Sequence, residues 1–531
     1  MDHIGDFPLA FIDGAEFAGG VYAMPATKDA ADISLTDSAN ILAREHARKQ
    51  YGYTKMLQEI AGALFVLKEK RPWEKWIQRK WNGDNMRKTG EAPDIKKNKK
   101  DALLVLEKLR VDTTKGAEGY KKQMEAFAPI KPAYTLEDVE VAVSRIESHT
   151  IEQWWKELIP GKLAFRFYNA GHIIGSVSVL FRITENGKSR NVLFSGDLGS
   201  YKWDFHPTGL AVPPHNLPID TVVVESTYGG KVRYNFAEWL RDFEQQIIHD
   251  IEKYNQIIIP TFAMDRTQLI LNILIQMKKQ WKIDVDIIQD SPSGAKHTMN
   301  YLKHSRKLDP TIASKHVPII HRTLYGDFAK AEWVKLAEFV DNINPANGHY
   351  TVADKNNRES LLAKWERKKI VVTSSGMAEG GMVISYLESQ VSNPDVAFYF
   401  PGYLVPGTLG YALASESQPG WQQKNVEISG KTYEVQARMM QFNFLSGHGD
   451  EEDLMVWLWA MKLRKGATIR IVHGDIKGSS LALKHTLERS GKFKGINIIV
   501  PGLNEVNAFP ISNPTPVRKK PAAKKPAAKL K

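Results

Sequence analysis

From Leu163 onward the chain repeats one pattern: an apolar run rich in β-branched residues, a loop containing Gly or Ser, then helical periodicity. IIIPTFAMDRTQLILNILIQM passes from strand to helix between Pro260 and Arg266, and KIVVTSSGMAEGGMVISYLES does so between Ser374 and Gly381. VAFYFPGYLVPGTLGYALAS and TIRIVHGDIKGSSLALKHTLERS repeat it, the second with His473 at the turn. Such a series describes an α/β protein with largely parallel sheets. Ligands in open α/β sheets bind at the carboxyl ends of strands, so these turns are where chemistry is to be sought. With 531 residues, 43% of them hydrophobic, the chain can bury a large core and divide into two or three domains.

The stretch from about Tyr51 to His149 departs from the pattern, being charged, helix-patterned and poor in β-branched runs, and it reads as a helical insertion. Between Lys68 and Lys100 twelve Lys or Arg face five Asp or Glu, interleaved with Trp73, Trp76 and Trp81. Positive charge with aromatics suits a single-stranded nucleic-acid surface. Trp73 and Trp76, three apart, read instead as the buried stripe of an amphipathic helix, which leaves the nucleic-acid reading to the lysines. Seven of the chain's +12 formal charges lie between Arg518 and Lys531, in a PAAKKPAAK-type tail that cannot bury apolar surface. A disordered basic arm over 513–531 is expected, serving either to hold phosphates or to keep the chain soluble.

The absence of cysteine excludes disulfides, thiolate metal sites and cysteine nucleophiles, so any metal must be held by His, Asp or Glu. It also suits a reducing cytoplasm. MDHIGDFPLAFIDGAEFAGG lacks the basic and apolar regions of an export signal, and no apolar run approaches membrane-spanning length.

Three segments set His or Asp directly after a strand: FRFYNAGHIIGS with His172, VLFSGDLGS with Asp197 and IRIVHGD with His473. Taken singly, each is an ordinary strand-end polar residue. With Asp2 and His3 in MDHIGDFP, Glu225 in VVVESTYGG and His448 in FLSGHGDEED, they make the nitrogen and oxygen donor set of a hydrolytic zinc site.

On these segments the chain resembles metallo-β-lactamase-fold nucleases that carry a β-CASP insertion, in particular the RNA-processing subgroup that includes the cleavage-and-polyadenylation endonucleases. Asp2 and His3 match the end of the family's His-x-His-x-Asp-His signature, His172 its next metal His and Asp197 in SGDLG its bridging Asp. Glu225, His448 and His473 match the three β-CASP motifs, and DSPSG, SSGMAEGG and GYLVPGTLG resemble loops of the insertion. A His in the third motif is typical of the RNA members; the DNA-repair members carry an apolar residue there. LSGHGD instead of SAHAD, and Asp265 where Gly often precedes the Arg, are departures.

The resemblance implies an αββα metallo-β-lactamase sandwich, lacking its opening strands, over residues 1–228 (with the helical insertion at 51–150) and 437–512, interrupted by a β-CASP α/β domain over 229–436. It implies that one zinc is held by Asp2, His3, Asp197 and His473. The other would use His172, Asp197 and two histidines upstream of Met1, so about one zinc is expected here against two in the complete family site. It makes His448, oriented by Glu225, the proton donor beside Asp197, and Arg266 with Ser374, Ser375 and Gly376 the phosphate contacts, although that loop also reads as an ordinary glycine turn. The expected activity is hydrolysis of RNA phosphodiester bonds, impaired in this sequence. The alternative is a non-catalytic RNA-binding scaffold. Single-stranded RNA is the expected partner, no membrane is, and a homodimer is compatible.

Overall fold

The computed structural model describes residues 4–12, 17, 19–66, 128–151, 154–200, 217–233, 236–305, 338–353, 358, 367–414, 425–442 and 445–502. Asp2, His3, the basic stretch Lys68–Lys100 and the tail 513–531 lie outside these residues.

The chain is α/β. Its first described part carries β1 (Val21–Ala23), the helix Pro25–Val66, the helix Leu136–Ser144, β2 (Ile146–Ser148), β3 (Lys156–Ile159), β4 (Leu163–Asn169), β5 (Val177–Glu185), β6 (Lys188–Phe194) and β7 (Ile219–Val224). The middle supplies β8 (Gln256–Pro260), β9 (Asp286–Asp290), β10 (Thr351–Val352), β11 (Lys369–Thr373), β12 (Val396–Phe400), the hairpin of β13 (Asn425–Ile428) and β14 (Lys431–Glu434), and β15 (Arg438–Gln441). The end returns with β16 (Leu463–Ile471) and β17 (Asn497–Ile499).

Two sheets dominate the described residues. One has seven strands in the order β17-β16-β7-β6-β5-β4-β3, antiparallel from β3 to β6 and parallel from β6 onward. The other has six parallel strands in the order β10-β9-β11-β8-β12-β15. QIIIP, KIVVT and VAFYF are buried at every position, as strands covered on both faces must be. Alternation divides them: Ile257, Ile259, Ile370 and Val372 pack under the helices Phe236–Lys253 and Arg266–Trp281, while Ile258, Val371 and Phe398 meet Val383, Tyr386 and Leu387 of the helix Val383–Gln390. Because β15 pairs with β12, this sheet extends to Gln441, a few residues past 436, where the resemblance puts the edge of the β-CASP domain.

In the seven-stranded sheet Leu180, Leu193, Val222 and Ile469 face Leu454, Trp457 and Leu458 of the helix Glu451–Trp459 and Leu483 and Leu487 of the helix Ser479–Arg489. Asp450 caps the first of these helices reciprocally with Asp453. The other face of this sheet carries Phe165, Phe181 and Phe194, and against Phe165 pack Tyr22 of the small parallel sheet of β1 and β2, and His149 just after it.

The helix Pro25–Val66 begins well before the expected edge of the insertion and ties the two sheet systems together. Its Thr27 hydroxyl donates to the Gly175 carbonyl at 2.7 Å beside the His172 loop. Its Ala26 carbonyl accepts from Asn300 at 3.1 Å, and Asp29 pairs with His304 at 2.6 Å, both partners on the helix Pro292–Ser305 of the six-stranded unit.

Candidate metal centre

The strand ends of the seven-stranded sheet converge. His172 follows β4 in a turn fixed by the Ser176 hydroxyl, which accepts from the amides of His172 (3.0 Å) and Ile173 (3.2 Å). Asp197 follows β6. These two loops touch backbone to backbone: the Gly199 amide donates to the Ala170 carbonyl at 2.9 Å, and a Cβ on Gly199 would stand 1.9 Å from the Gly171 oxygen. Only glycine fits there, and that contact sets Asp197 beside His172.

Glu225 follows β7 and is 1% exposed. The Ser195 hydroxyl accepts from its amide at 3.1 Å, and its carboxylate accepts from the Leu198 amide at 2.5 Å. His448 lies in the loop ahead of the helix Glu451–Trp459 and is joined to the Asp197 loop by the Gly449 amide, which donates to the Leu198 carbonyl at 2.6 Å. His473 follows β16 with φ +51°, a left-handed conformation uncommon outside glycine, of the kind that clusters at functional sites.

One nitrogen or oxygen from each of His172, Asp197 and His448 lies within 4.8 Å of the other two. His172 Nε2 is 3.9 Å from Asp197 Oδ2, and His473 Nε2 is 3.4 Å from Asp197 Oδ1. Two ligands on a tetrahedral zinc, each ~2.0–2.1 Å from it, stand roughly 3.3 Å apart, so the His473–Asp197 spacing suits a common ion, while His172 stands farther off, on the other carboxylate oxygen. His172 still fits a ligand's role. Burial, reinforced by His448, holds its pKa down to about 4, which keeps the ring neutral near pH 7, the form that binds metal.

His448 differs. Its Nδ1–H donates to both oxygens of Glu225, at 3.0 and 2.9 Å, while its ring stands 4.4 Å from that of His172. Burial raises the pKa of Glu225, but the His448 hydrogen bond and charge, with the Leu198 amide, outweigh it and leave the carboxyl below its usual value. Burial likewise lowers the pKa of His448, and Glu225 and Asp197 reverse the balance, so the ring holds its proton more firmly than a free imidazole.

Arg266 opens the helix Arg266–Trp281, and its guanidinium reaches the same place: a Cβ on Gly447 would lie 3.0 Å from Arg266 Nη2 and 2.7 Å from His172 Cε1. The residue before it, Asp265, has φ +68°, which accounts for the glycine the family often has there. Here the buried Asp265 carboxylate accepts from Tyr301 at 2.7 Å and pairs with Arg266. Ser374, Ser375 and Gly376 follow β11 on the six-stranded unit, and the Ser374 hydroxyl accepts from Ser291 at 3.0 Å.

Sequence reading missed Arg233. Its guanidinium donates to the carbonyls of His448 and Ser446 and stacks on Tyr228 at 4.8 Å, and its amide donates to Asp450 at 2.7 Å, so it fixes the His448 loop. Its place just after ESTYGG was the one available signal.

Residues 267–413 match the β-CASP domain, and residues 432–501 match the Zn-dependent metallo-hydrolase RNA specificity domain. The chain is 30% identical to an RNase J-like protein of Methanocaldococcus jannaschii, over 68% of this chain and 74% of that protein. It is 25% identical to the ribonuclease TTHA0252 of Thermus thermophilus, over 65% of this chain and 70% of that one. It is also 27% identical to the transcription termination factor FttA of Methanosarcina mazei, over 63% of this chain and 49% of that one. The fold is that of a metallo-β-lactamase hydrolase with a β-CASP domain. The chain belongs to that family.

Proposed function

We propose that this chain is a zinc-dependent phosphodiesterase that cuts single-stranded RNA. The observation that carries the reading is the meeting of His172, Asp197 and His448 at the strand ends, with His448 held by a buried Glu225. Relatives named as ribonucleases support RNA as the substrate. So does the match to an RNA specificity domain. A cysteine-free sequence with no described helix able to cross a membrane suits a cytoplasmic place.

By the family resemblance Asp197 and His473, with Asp2 and His3, would hold one zinc, and His172 with Asp197 would contribute to a second. Bound zinc supplies Lewis acidity toward the phosphodiester and acidifies the attacking water. His448 delivers its proton to the leaving oxygen, and Glu225 orients the ring and stabilises its charged form. Arg266 and the Ser374–Gly376 amides offer positive charge and N–H donors to phosphate oxygens. Within this sequence the second ion has two protein ligands, and two rarely retain zinc.

We therefore expect a polypeptide of these 531 residues to carry about one zinc, with weak cleavage. Native mass spectrometry after dialysis against zinc-free buffer reads the count. Two tightly held ions would overturn the ligand assignment, and none at all would overturn the metal reading.

A further inference from the structure

We propose that Phe262 and Tyr403 are a stacking platform for the bases of the RNA strand, set at the strand ends of the six-stranded sheet; this rests on the RNA reading above. Phe262 is 47% and Tyr403 65% exposed, whereas Phe398, Tyr399 and Phe400 of β12 are wholly buried. A sheet that buries its other aromatics so completely forgoes a large hydrophobic gain by leaving these two rings in water.

Their placement is specific. β8 and β12 are parallel neighbours, and the two rings stand two and three residues beyond the carboxyl ends of these strands, where α/β sheets bind ligands. Phe262 is held in place. Its carbonyl accepts from the Thr267 amide at 3.1 Å and from the Thr267 hydroxyl at 2.8 Å. Gly376 closes over it, since a Cβ there would lie 3.1 Å from the Phe262 nitrogen. Four residues on, Arg266 reaches the metal centre beside His172. In the second loop Tyr403 sits between Gly402, whose carbonyl accepts from Gln441 at 3.0 Å, and the buried Leu404. Both rings are thus presented outward from fixed backbone.

A nucleobase is the ligand whose chemistry fits. Every base offers a π-face, stacking tolerates any sequence, and the phosphates of the same strand would meet Arg266 and the Ser374–Gly376 loop. Neither ring carries charge, so their contribution persists at salt concentrations that screen the phosphate contacts.

The test is fluorescence anisotropy of a labelled single-stranded oligoribonucleotide, and of the same strand with abasic nucleotides introduced one position at a time. Phe262→Ala and Tyr403→Ala should each weaken binding of the intact strand by roughly 5- to 150-fold. Tyr403→Phe should restore it, and thermal midpoints should stay unchanged. At one or two positions an abasic nucleotide should weaken the wild type by a similar factor and leave the matching Ala variant unaffected. Equal affinity of wild type and Ala variants for intact RNA overturns the platform alone. So does an equal loss of affinity for a wholly abasic strand. If the wild type binds no intact RNA, the RNA reading itself falls and the platform with it.

Discussion

Asp197→Ala is expected to strip the purified chain of its zinc and to lower RNA cleavage by roughly 1,000-fold or more, the several kcal/mol of charge stabilisation that a catalytic metal supplies. Asp197 is the carboxylate that reaches both candidate imidazoles, 3.9 Å from His172 and 3.4 Å from His473 on its two oxygens. Its loss therefore takes a ligand from both sites at once. The loop should survive, because Gly199 and Gly449 hold it through backbone hydrogen bonds that the substitution leaves in place. Full zinc content in a folded Asp197→Ala protein, measured by mass spectrometry beside an unchanged thermal midpoint, would remove Asp197 from the metal site.

His448→Ala separates two roles that the geometry allows. The ring lies close enough to His172 and Asp197 to be a ligand, and with Nδ1–H donated to Glu225 its Nε2 is left for either a metal or a proton; the carboxylate beside it raises its pKa, which favours the proton-donor role. As a general acid it should contribute roughly 100- to 10,000-fold to cleavage. Single-turnover assays with excess protein and saturating zinc should show that loss at unchanged zinc content. Loss of the ion together with the activity would make His448 a ligand. Glu225→Gln should cost less, since an amide oxygen still orients Nδ1–H but no longer stabilises the charged ring.

The strand-end residues were readable because a hydrophobic run closed by a Gly- or Ser-bearing loop is a local signal. Each of His172, Asp197, Glu225 and His473 follows a strand of the seven-stranded sheet. How they meet was not readable. The Gly199–Gly171 contact, the Arg233 hold on the His448 carbonyl and the Glu225–His448 pair join residues up to hundreds of positions apart, and periodicity carries no trace of such contacts. RMMQ is too short to declare which sheet it joins, and only its pairing with β12 settles that. The sequence placed no helix ahead of the insertion at about Tyr51, and the first turns of the helix Pro25–Val66 are fixed by tertiary partners at Gly175 and Asn300 that periodicity does not show.

The central claim, a zinc-dependent RNA-cutting site at these strand ends, is tested most directly by single-turnover cleavage of an end-labelled single-stranded RNA as zinc is titrated into metal-stripped protein, with Asp197→Ala run in parallel. The account predicts products that appear with zinc, disappear with chelator and are absent from the variant at every zinc concentration. Products of the same yield from wild type and Asp197→Ala, or RNA that binds and stays intact at saturating zinc, would contradict it, the second result leaving an RNA-binding scaffold.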